Sequence, residues 1–198
     1  MSWETISGET PIEDISGLKI KNITTREELS KAEAENIRKV ILKYLAVKPS
    51  RRQAPFDFNW SLSLHKEMFG DVWDWAGSTR QDNLNLGEKW TLVDSSLFDL
   101  LEGRLPYWKE HWEDPIEQAA HLHHAAVKIH PFLNGNGRWS RMMSNIWLKI
   151  HDHNITVWPE DAIGGVSDIR NEYLAAIRSA DDGRMTELIE LHRKYTLT

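Results

Sequence analysis

Apolar positions recur at helical spacing along much of the chain. After Thr24, which forms a capping box with Glu27, they predict a helix that ends near residue 47. Its buried face is expected to comprise Leu29, Ile37, Val40, Ile41, Tyr44 and Val47. Further helices are predicted at residues 60–69, 94–111, 115–129, 138–150, 167–180 and 184–195.

One segment departs from the helical pattern. Residues 79–93 alternate in polarity on both sides of a turn, Asn83-Leu84-Asn85-Leu86-Gly87, which predicts a β-hairpin. The expected architecture is a single all-α domain over residues 1–198 with one hairpin. We divide it into an N-terminal arm and first helix (1–50), a core (58–153) and C-terminal helices (154–198).

Composition and charge narrow the function classes. The net charge is −6 and no basic block is present, so nucleic acid is not expected as a partner. The chain has no cysteine, which excludes disulfides and thiolate metal sites. No apolar run has the length of a membrane span, and the N-terminus is polar and acidic, unlike a signal peptide. These features predict a cytoplasmic protein without a membrane partner.

The segment between the two central helices concentrates groups that suit phosphate. It runs His130-Pro131-Phe132-Leu133-Asn134-Gly135-Asn136-Gly137-Arg138-Trp139-Ser140-Arg141. A glycine-rich turn before a helix offers several backbone N–H groups to an anion, and arginines bind phosphate oxygens bidentately. A histidine can accept a proton near neutral pH. The segment therefore predicts a site for phosphate-ester chemistry.

This segment resembles the signature of the Fic family, His-x-Phe-x-(Asp/Glu)-Gly-Asn-Gly-Arg-x-x-Arg, at every fixed position except Asn134. The upstream stretch Leu64-His65-Lys66-Glu67-Met68-Phe69-Gly70-Asp71-Val72-Trp73-Asp74-Trp75-Ala76-Gly77 resembles the family's other recurrent segment. The residue at 134 and the segment 24–37 also resemble the bacterial subgroup called mobile mystery protein B. The resemblance implies a helical fold with a hairpin flap beside the active site.

The resemblance also implies an activity and the residues that perform it. The protein would be a nucleotidyltransferase that moves AMP from ATP to a Ser, Thr or Tyr hydroxyl of a target protein. His130 would be the general base. The phosphates would be held by Gly135, Asn136, Gly137, Arg138 and Arg141. Arg80 would belong to the flap that aligns the target chain, and Mg²⁺ would bridge the phosphates. For Asn136 two roles remain open, holding the turn or contacting phosphate.

Asn134 stands where most Fic proteins carry an acidic ligand of Mg²⁺. Its amide offers one oxygen but no charge, and Mg²⁺ prefers carboxylates. A close charge pair contributes up to about 4 kcal/mol at an effective dielectric constant of 20. We therefore expect weaker metal binding at this position.

Glu33 lies in the middle of the apolar face of the first helix, where an unpaired carboxylate is costly. The resemblance suggests a partner, because many Fic proteins carry a glutamate that pairs with the second motif arginine and blocks productive ATP binding. That arginine is Arg141 here. Glu35-Asn36 fits the end of the family's inhibitory pattern, but Lys31 stands where Ser or Thr is expected. We expect Glu33 to be the regulatory residue, with Glu35 second.

Three alternatives remain open at this stage. Other Fic proteins transfer different phosphate-containing groups or remove AMP. The chain could instead be a weakened nucleotide-binding or interaction module, with Asn134 as the loss. A metallophosphohydrolase built on His121, His123 and His124 has little support, because no acidic ligand has the right spacing. A homodimer or a regulatory partner is not excluded.

Overall fold

A computed structural model describes residue 15, residues 17–159 and residues 167–196. The α-helices are α1 (Arg26–Tyr44), α2 (Phe58–Phe69), α3 (Trp90–Phe98), α4 (Leu105–His111), α5 (Pro115–Ile129), α6 (Asn136–Ile150), α7 (Asp168–Asp181) and α8 (Thr186–Tyr195), and a π-helical segment (Asp99–Arg104) joins α3 to α4. Among the described residues, strand-like pairing is limited to two isolated bridges, Leu18 with Trp73 and Thr156 with Thr196. The predicted helical fold is confirmed.

Helices α5 and α6 pack along each other at the centre, with α2 against α6 and α1 against α2. One large core joins these elements and contains many aromatic side chains, among them Trp73, Phe132 and Trp139. A smaller core lies between α7, α8 and Trp158. Within the described part of the chain, no helix combines the length and the apolar character that crossing a bilayer requires.

The ends of the two central helices create the turn between them. Asp114 caps α5 by accepting a hydrogen bond from the backbone N–H of Ile116 (2.8 Å), and Pro115 occupies the first turn. Helix α5 ends at Ile129, and the residue that follows it, His130, has a left-handed backbone (φ 54°). Helix α6 starts after Gly135, also left-handed (φ 81°), without a side-chain cap. The first N–H groups of α6 are therefore not taken by a capping side chain.

Helix α1 differs from its prediction at both ends. Its capping box is formed by Thr25 and Glu28, one residue later than expected, and its last residue is Tyr44. The predicted buried face is also wrong in part, because Ile41 is 42% and Val47 is 73% exposed. Leu29, Val40 and Tyr44 are buried as expected, and they share their face with two polar residues, Glu33 and Asn36.

The hairpin predicted at residues 79–93 does not form. Residues 79–89 are bends and irregular backbone, and residues 90–93 already belong to α3. The side chain of Arg80 binds the carbonyls of Asp82 and Glu88, so these groups are not available for a ladder between strands. Helix α3 begins where the second strand was expected, and the backbone N–H of its first residue, Trp90, donates a hydrogen bond to Asn83 Oδ1 (3.0 Å).

Candidate active site

The loop between α5 and α6 is closed by one side chain. Asn136 Oδ1 accepts a hydrogen bond from the backbone N–H of Phe132 (2.9 Å), and Asn136 Nδ2 donates to the carbonyl of Phe132 (2.8 Å). Asn136 is 2% exposed, so its amide is used inside the loop. Of the two roles open from the sequence, the structure supports the one that holds the turn. A direct side-chain contact of Asn136 with phosphate does not fit this geometry.

Phe132 anchors the loop in the core. Its ring is fully buried, stacks on the imidazole of His65 (3.6 Å between centroids) and meets Trp139 edge to face (5.0 Å). The next glycine has no room for a side chain, because a Cβ at Gly135 would lie 2.7 Å from the ring of Phe69. The turn is therefore fixed by packing as well as by hydrogen bonds.

His65 supports the loop from α2 and was not singled out as a site residue from the sequence. Its Nδ1 accepts a hydrogen bond from the N–H of Gly77 (3.0 Å), so the ring proton is on Nε2. That Nε2 donates to the carbonyl of Asn134 (3.0 Å). Burial lowers the pKa of His65 to about 3, which keeps the ring neutral. Its place in the family-like segment at 64–77 was the only sequence signal.

His130, the predicted base, is half-buried at the start of the loop. Burial lowers its pKa to about 4; a hydrogen bond to the carbonyl of Val127 opposes this shift, and the charge of Arg80 adds to it. The imidazole is therefore neutral at pH 7, the state in which it can accept a proton.

Arg80 fastens the segment 79–89 to His130. Its side chain is 2% exposed and donates to the carbonyls of His130 (2.7 Å), Asp82 (2.7 Å) and Glu88. Its own N–H donates to the carbonyl of Pro131 (2.9 Å). Gly87 (φ 92°) is in such close contact that a Cβ there would clash with the Cβ of His130. The predicted flap residue is thus placed at the active-site loop, in a clamp rather than a strand.

Arg138 forms the ion pair that was expected for Arg141. Its Nη1 lies 2.6 Å from Oε2 of Glu33, and Oε1 of the same carboxylate accepts a hydrogen bond from Trp73 Nε1 (2.7 Å). The prediction that Glu33 has a cationic partner is right, but the partner was wrong. Glu35, the second candidate, lies on the exposed side of α1 and pairs with Arg38 (2.9 Å).

Arg141, one turn further along α6, approaches α7. It is 7% exposed, and its guanidinium carbon lies 5.7 Å from the centre of the Tyr173 ring. The Nη1 atom of Arg141 lies near the start of α6: a Cβ added at Gly137 would be 3.4 Å from this nitrogen. The two motif arginines therefore have different neighbours, an acid on α1 and an aromatic ring on α7.

Asn134 was predicted as a weak ligand of Mg²⁺. Its Oδ1 accepts a hydrogen bond from the N–H of Gly135 (2.6 Å). The described residues contain no group of three or more His, Asp or Glu side chains that could hold a metal ion. Among the described residues, Asn134 would offer such a site one neutral oxygen, and that oxygen alone does not fit a resident Mg²⁺.

The three histidines of α5 have structural neighbours. His121 packs against Trp112 (4.6 Å between ring centres), and His124 Nε2 lies 2.9 Å from Asp181 Oδ1. His123 is fully buried and hydrogen-bonded to His192 and Tyr173.

Comparison with known proteins gives consistent relatives. Residues 55–148 match the model of the Fic/DOC family. A Fido domain-containing protein of Dictyostelium discoideum is 31% identical over 90 residues, which cover 46% of this chain and 58% of the relative. The protein adenylyltransferase fic-1 of Caenorhabditis briggsae is 24% identical over 139 residues, which cover 68% of this chain and 26% of the relative. The chain thus spans about a quarter to three fifths of these curated relatives.

Solved structures share the fold. The BepC protein of Bartonella tribocorum with bound AMPPNP superposes with a TM-score of 0.66 at 18% identity, covering 88% of this chain and 89% of that one. A Fic domain of Bartonella quintana with bound ADP gives a TM-score of 0.65 at 20% identity, with coverage of 89% and 88%. Fic-1 of Caenorhabditis elegans gives 0.68 at 22% identity, with coverage of 91% and 52%.

Proposed function

Because the chain belongs to the Fic/DOC family through residues 55–148, we propose that it is a protein adenylyltransferase. It would transfer AMP from ATP to a Ser, Thr or Tyr hydroxyl of a target protein. The observation that carries this proposal is the position of His130, at the end of α5 and directly before a turn that leads into the uncapped N-terminus of α6, where an anion can be bound. Relatives named as adenylyltransferases, and structures of the same fold with bound AMPPNP and ADP, support the choice of nucleotide.

In this reaction His130 takes the proton of the target hydroxyl, and the hydroxyl oxygen attacks the α-phosphorus of ATP. The bond from that phosphorus to the bridging oxygen breaks, and pyrophosphate leaves with its electron pair. The N–H groups of Asn136 and Gly137, in the uncapped first turn of α6, and the positive end of that helix stabilise the charge on the α-phosphate. Arg138 and Arg141 hold the outer phosphates, for which their permanent charge and forked geometry are suited.

Magnesium enters this scheme as part of the substrate, Mg·ATP. The outer phosphates supply the charged oxygens that Mg²⁺ requires, and Asn134 adds one amide oxygen. The neutral side chain at this position also favours the second candidate function, a nucleotide-binding module with little catalysis.

Target binding is assigned to the face of the segment 79–89. Arg80 ties this segment to the carbonyl of His130, so a target chain bound along it is placed next to the base. The segment has no strand edge to extend, so the target is placed by its proximity to His130 and not by strand addition. The proposed partner is therefore a protein that presents a hydroxyl next to this segment.

We assign Glu33 an inhibitory role in the same scheme. Its carboxylate occupies the guanidinium of Arg138 at 2.6 Å, the group that would otherwise bind phosphate. Productive ATP binding then requires this ion pair to open. Glu35 has no such contact, since its carboxylate is occupied by Arg38 at the surface of α1.

The reaction class is tested with ATP labelled at either the α- or the γ-phosphate, incubated with the protein and candidate targets. The proposal predicts that only the α-label appears on protein and that His130→Ala abolishes it. Transfer of the γ-label would mean kinase chemistry. Measurable ATP binding without transfer of either label would favour the binding module.

A further inference from the structure

A chain of buried polar side chains lies behind Arg141, in the smaller core. It begins at Tyr173 on α7, whose hydroxyl lies 3.0 Å from His123 Nε2 on α5. His123 Nδ1 is 3.0 Å from His192 Nε2 on α8, and His192 Nδ1 is 3.3 Å from the hydroxyl of Thr156. Both histidines are fully buried, and Thr156 is 1% exposed. The proposed reaction uses none of these four residues.

The direction of every hydrogen bond in this chain can be assigned from its far end. The hydroxyl of Thr196 donates to the carbonyl of His192 (2.7 Å). Thr196 must therefore accept from the hydroxyl of Thr156, 3.1 Å away. Thr156 has then used its only proton, so it accepts from His192 Nδ1–H.

The same logic continues through the two imidazoles. Burial lowers the pKa of His192 to about 3; it also lowers the pKa of His123, and the charge of Arg141 acts in the same direction. Each ring is thus neutral with a single N–H. His192 Nε2 must accept from His123 Nδ1–H, and His123 Nε2 must accept from the hydroxyl of Tyr173. All the bonds point one way, from Tyr173 towards Thr196.

This chain fixes the orientation of the Tyr173 ring, and that ring faces Arg141. The guanidinium carbon of Arg141 lies 5.7 Å from the ring centre, within the range of a cation–π contact. Trp158 packs edge-on against Tyr173 (5.8 Å) and His192 (4.9 Å) and shields the chain from solvent. A tyrosine ring that is held by packing at its edge and by a hydrogen bond at its hydroxyl restricts the conformations of an arginine side chain packed against it.

We propose that Tyr173, held by the one-way hydrogen-bond chain through His123 and His192 to Thr156, is a positioning residue that orients Arg141 for the phosphates of the nucleotide. The role in nucleotide binding rests on the proposed function. The assignment of the chain and its effect on Arg141 do not. Tyr173 contributes through ground-state binding, in contrast to His130, which acts in the chemical step.

The chain is tested first without nucleotide. A long-range ¹H–¹⁵N spectrum of the full protein should show both His123 and His192 as neutral Nδ1–H tautomers. In Thr156→Val, which removes the acceptor of the His192 Nδ1–H but keeps the side-chain shape, both rings should change to the Nε2–H tautomer. Nε2–H rings in the wild type, or no change in Thr156→Val, would overturn the chain.

The effect on Arg141 is tested with Tyr173→Phe, which keeps the ring and removes the hydroxyl. Tyr195→Phe is the matched control, since Tyr195 packs in the same small core against Trp158. The side-chain N–H signal of Arg141 should broaden or shift in Tyr173→Phe and stay in place in the control, with thermal unfolding confirming that both variants fold. An unchanged Arg141 signal in Tyr173→Phe would overturn the positioning role.

Calorimetric titration with Mg·ATP links this role to function. Tyr173→Phe should weaken binding by about fivefold to tenfold, the effect of one lost hydrogen bond in a network, while kcat for α-phosphate transfer stays close to that of the wild type. An unchanged Kd, or a loss in kcat alone, would contradict the proposal. If the wild type bound no ATP, the proposed function would fail, and the Arg141 signal would still decide the positioning role.

Discussion

At the scale of single residues, two positions set the electrostatics of the active-site loop. His130 is kept neutral by burial and by the nearby charge of Arg80, so proton transfer to it needs no prior deprotonation at pH 7. Asn134 places an amide oxygen where a carboxylate would bring a full negative charge. A neutral imidazole can accept a proton, and we expect an amide oxygen to bind a divalent cation more weakly than a carboxylate would.

The Asn134→Asp variant should require less Mg²⁺ for half-maximal transfer. A carboxylate restores a charge whose interaction with a nearby cation is worth up to about 4 kcal/mol at an effective dielectric constant of 20. The measurement is the transfer rate as a function of Mg²⁺ concentration at constant ATP. Asn134→Ala serves as the control, because it removes the amide oxygen without adding charge. An unchanged or higher Mg²⁺ requirement in Asn134→Asp would show that the metal does not depend on this position.

At the scale of elements, α1 is held to the rest of the fold by polar contacts as well as by its apolar face. Glu33 binds Arg138 and Trp73, and Lys43 binds Glu67 on α2 (2.7 Å). The Glu33 carboxylate is 5% exposed, so removing it leaves the charge of Arg138 without a partner on α1. This ion pair connects the position of α1 to the state of the phosphate site.

Replacing Glu33 by Gly should raise transfer or self-modification by more than about tenfold, because Arg138 becomes available to the nucleotide. The control Glu35→Gly places a glycine in the same helix, with the same cost in helix stability, and should have little effect on transfer. Glu33→Gln removes the charge while keeping the shape, and it should tighten binding of Mg·ATP. Parallel transfer assays decide between the glutamates. No gain in any variant would remove the inhibitory role of α1.

The segment 79–89 depends on a single side chain for its position. Arg80→Met keeps much of the apolar stem and removes the donors to the carbonyls of His130, Asp82 and Glu88. We expect faster amide hydrogen exchange in this segment and loss of transfer to the target, with ATP affinity retained. Arg52→Met, at an exposed loop position, is the control. Unchanged exchange in Arg80→Met would show that the clamp is not needed.

The sequence predicted those parts of the fold that follow from local patterns. The apolar periodicity of α5 and α6 and the register of the loop between them are confirmed, because both depend on neighbours close in sequence. The prediction of the hairpin was wrong because the Arg80 side chain binds backbone carbonyls that would have paired the two strands predicted from the alternating polarity. The prediction of Arg141 as the partner of Glu33 was wrong because Arg138 and Arg141 lie one turn apart on α6. Only the docking of α1 decides which of them it reaches.

At the scale of the whole molecule, the buried histidines connect folding to pH. His65, His123 and His192 are fully buried, and burial lowers the pKa of each, to about 3 for His65 and His192. In the unfolded chain these rings bind protons below about pH 6.5. Below this pH the unfolded state holds more protons than the folded one. The free energy of unfolding is therefore highest above pH 6.5, with respect to these histidines, and declines as the pH falls below that value.

Each of these histidines should lower the free energy of unfolding by up to about 1.4 kcal/mol per pH unit below pH 6. Urea unfolding at a series of pH values from 7.5 to about 5 measures the combined slope. The variant His65→Asn should reduce it, whereas His153→Gln, at an exposed position, should not. A free energy of unfolding that stays constant over this range would mean that the rings are protonated in the folded state.

The most direct test of the central claim compares His130→Ala with the wild type in two assays on the same preparations. Calorimetric titration gives the affinity for Mg·ATP, and incorporation of α-labelled phosphate into protein gives the rate of transfer. A base acts in the chemical step and not in ground-state binding. The account therefore predicts nearly equal ATP affinity and no detectable transfer in His130→Ala. Transfer at the wild-type rate in the variant would contradict the assignment of His130 as the catalytic base.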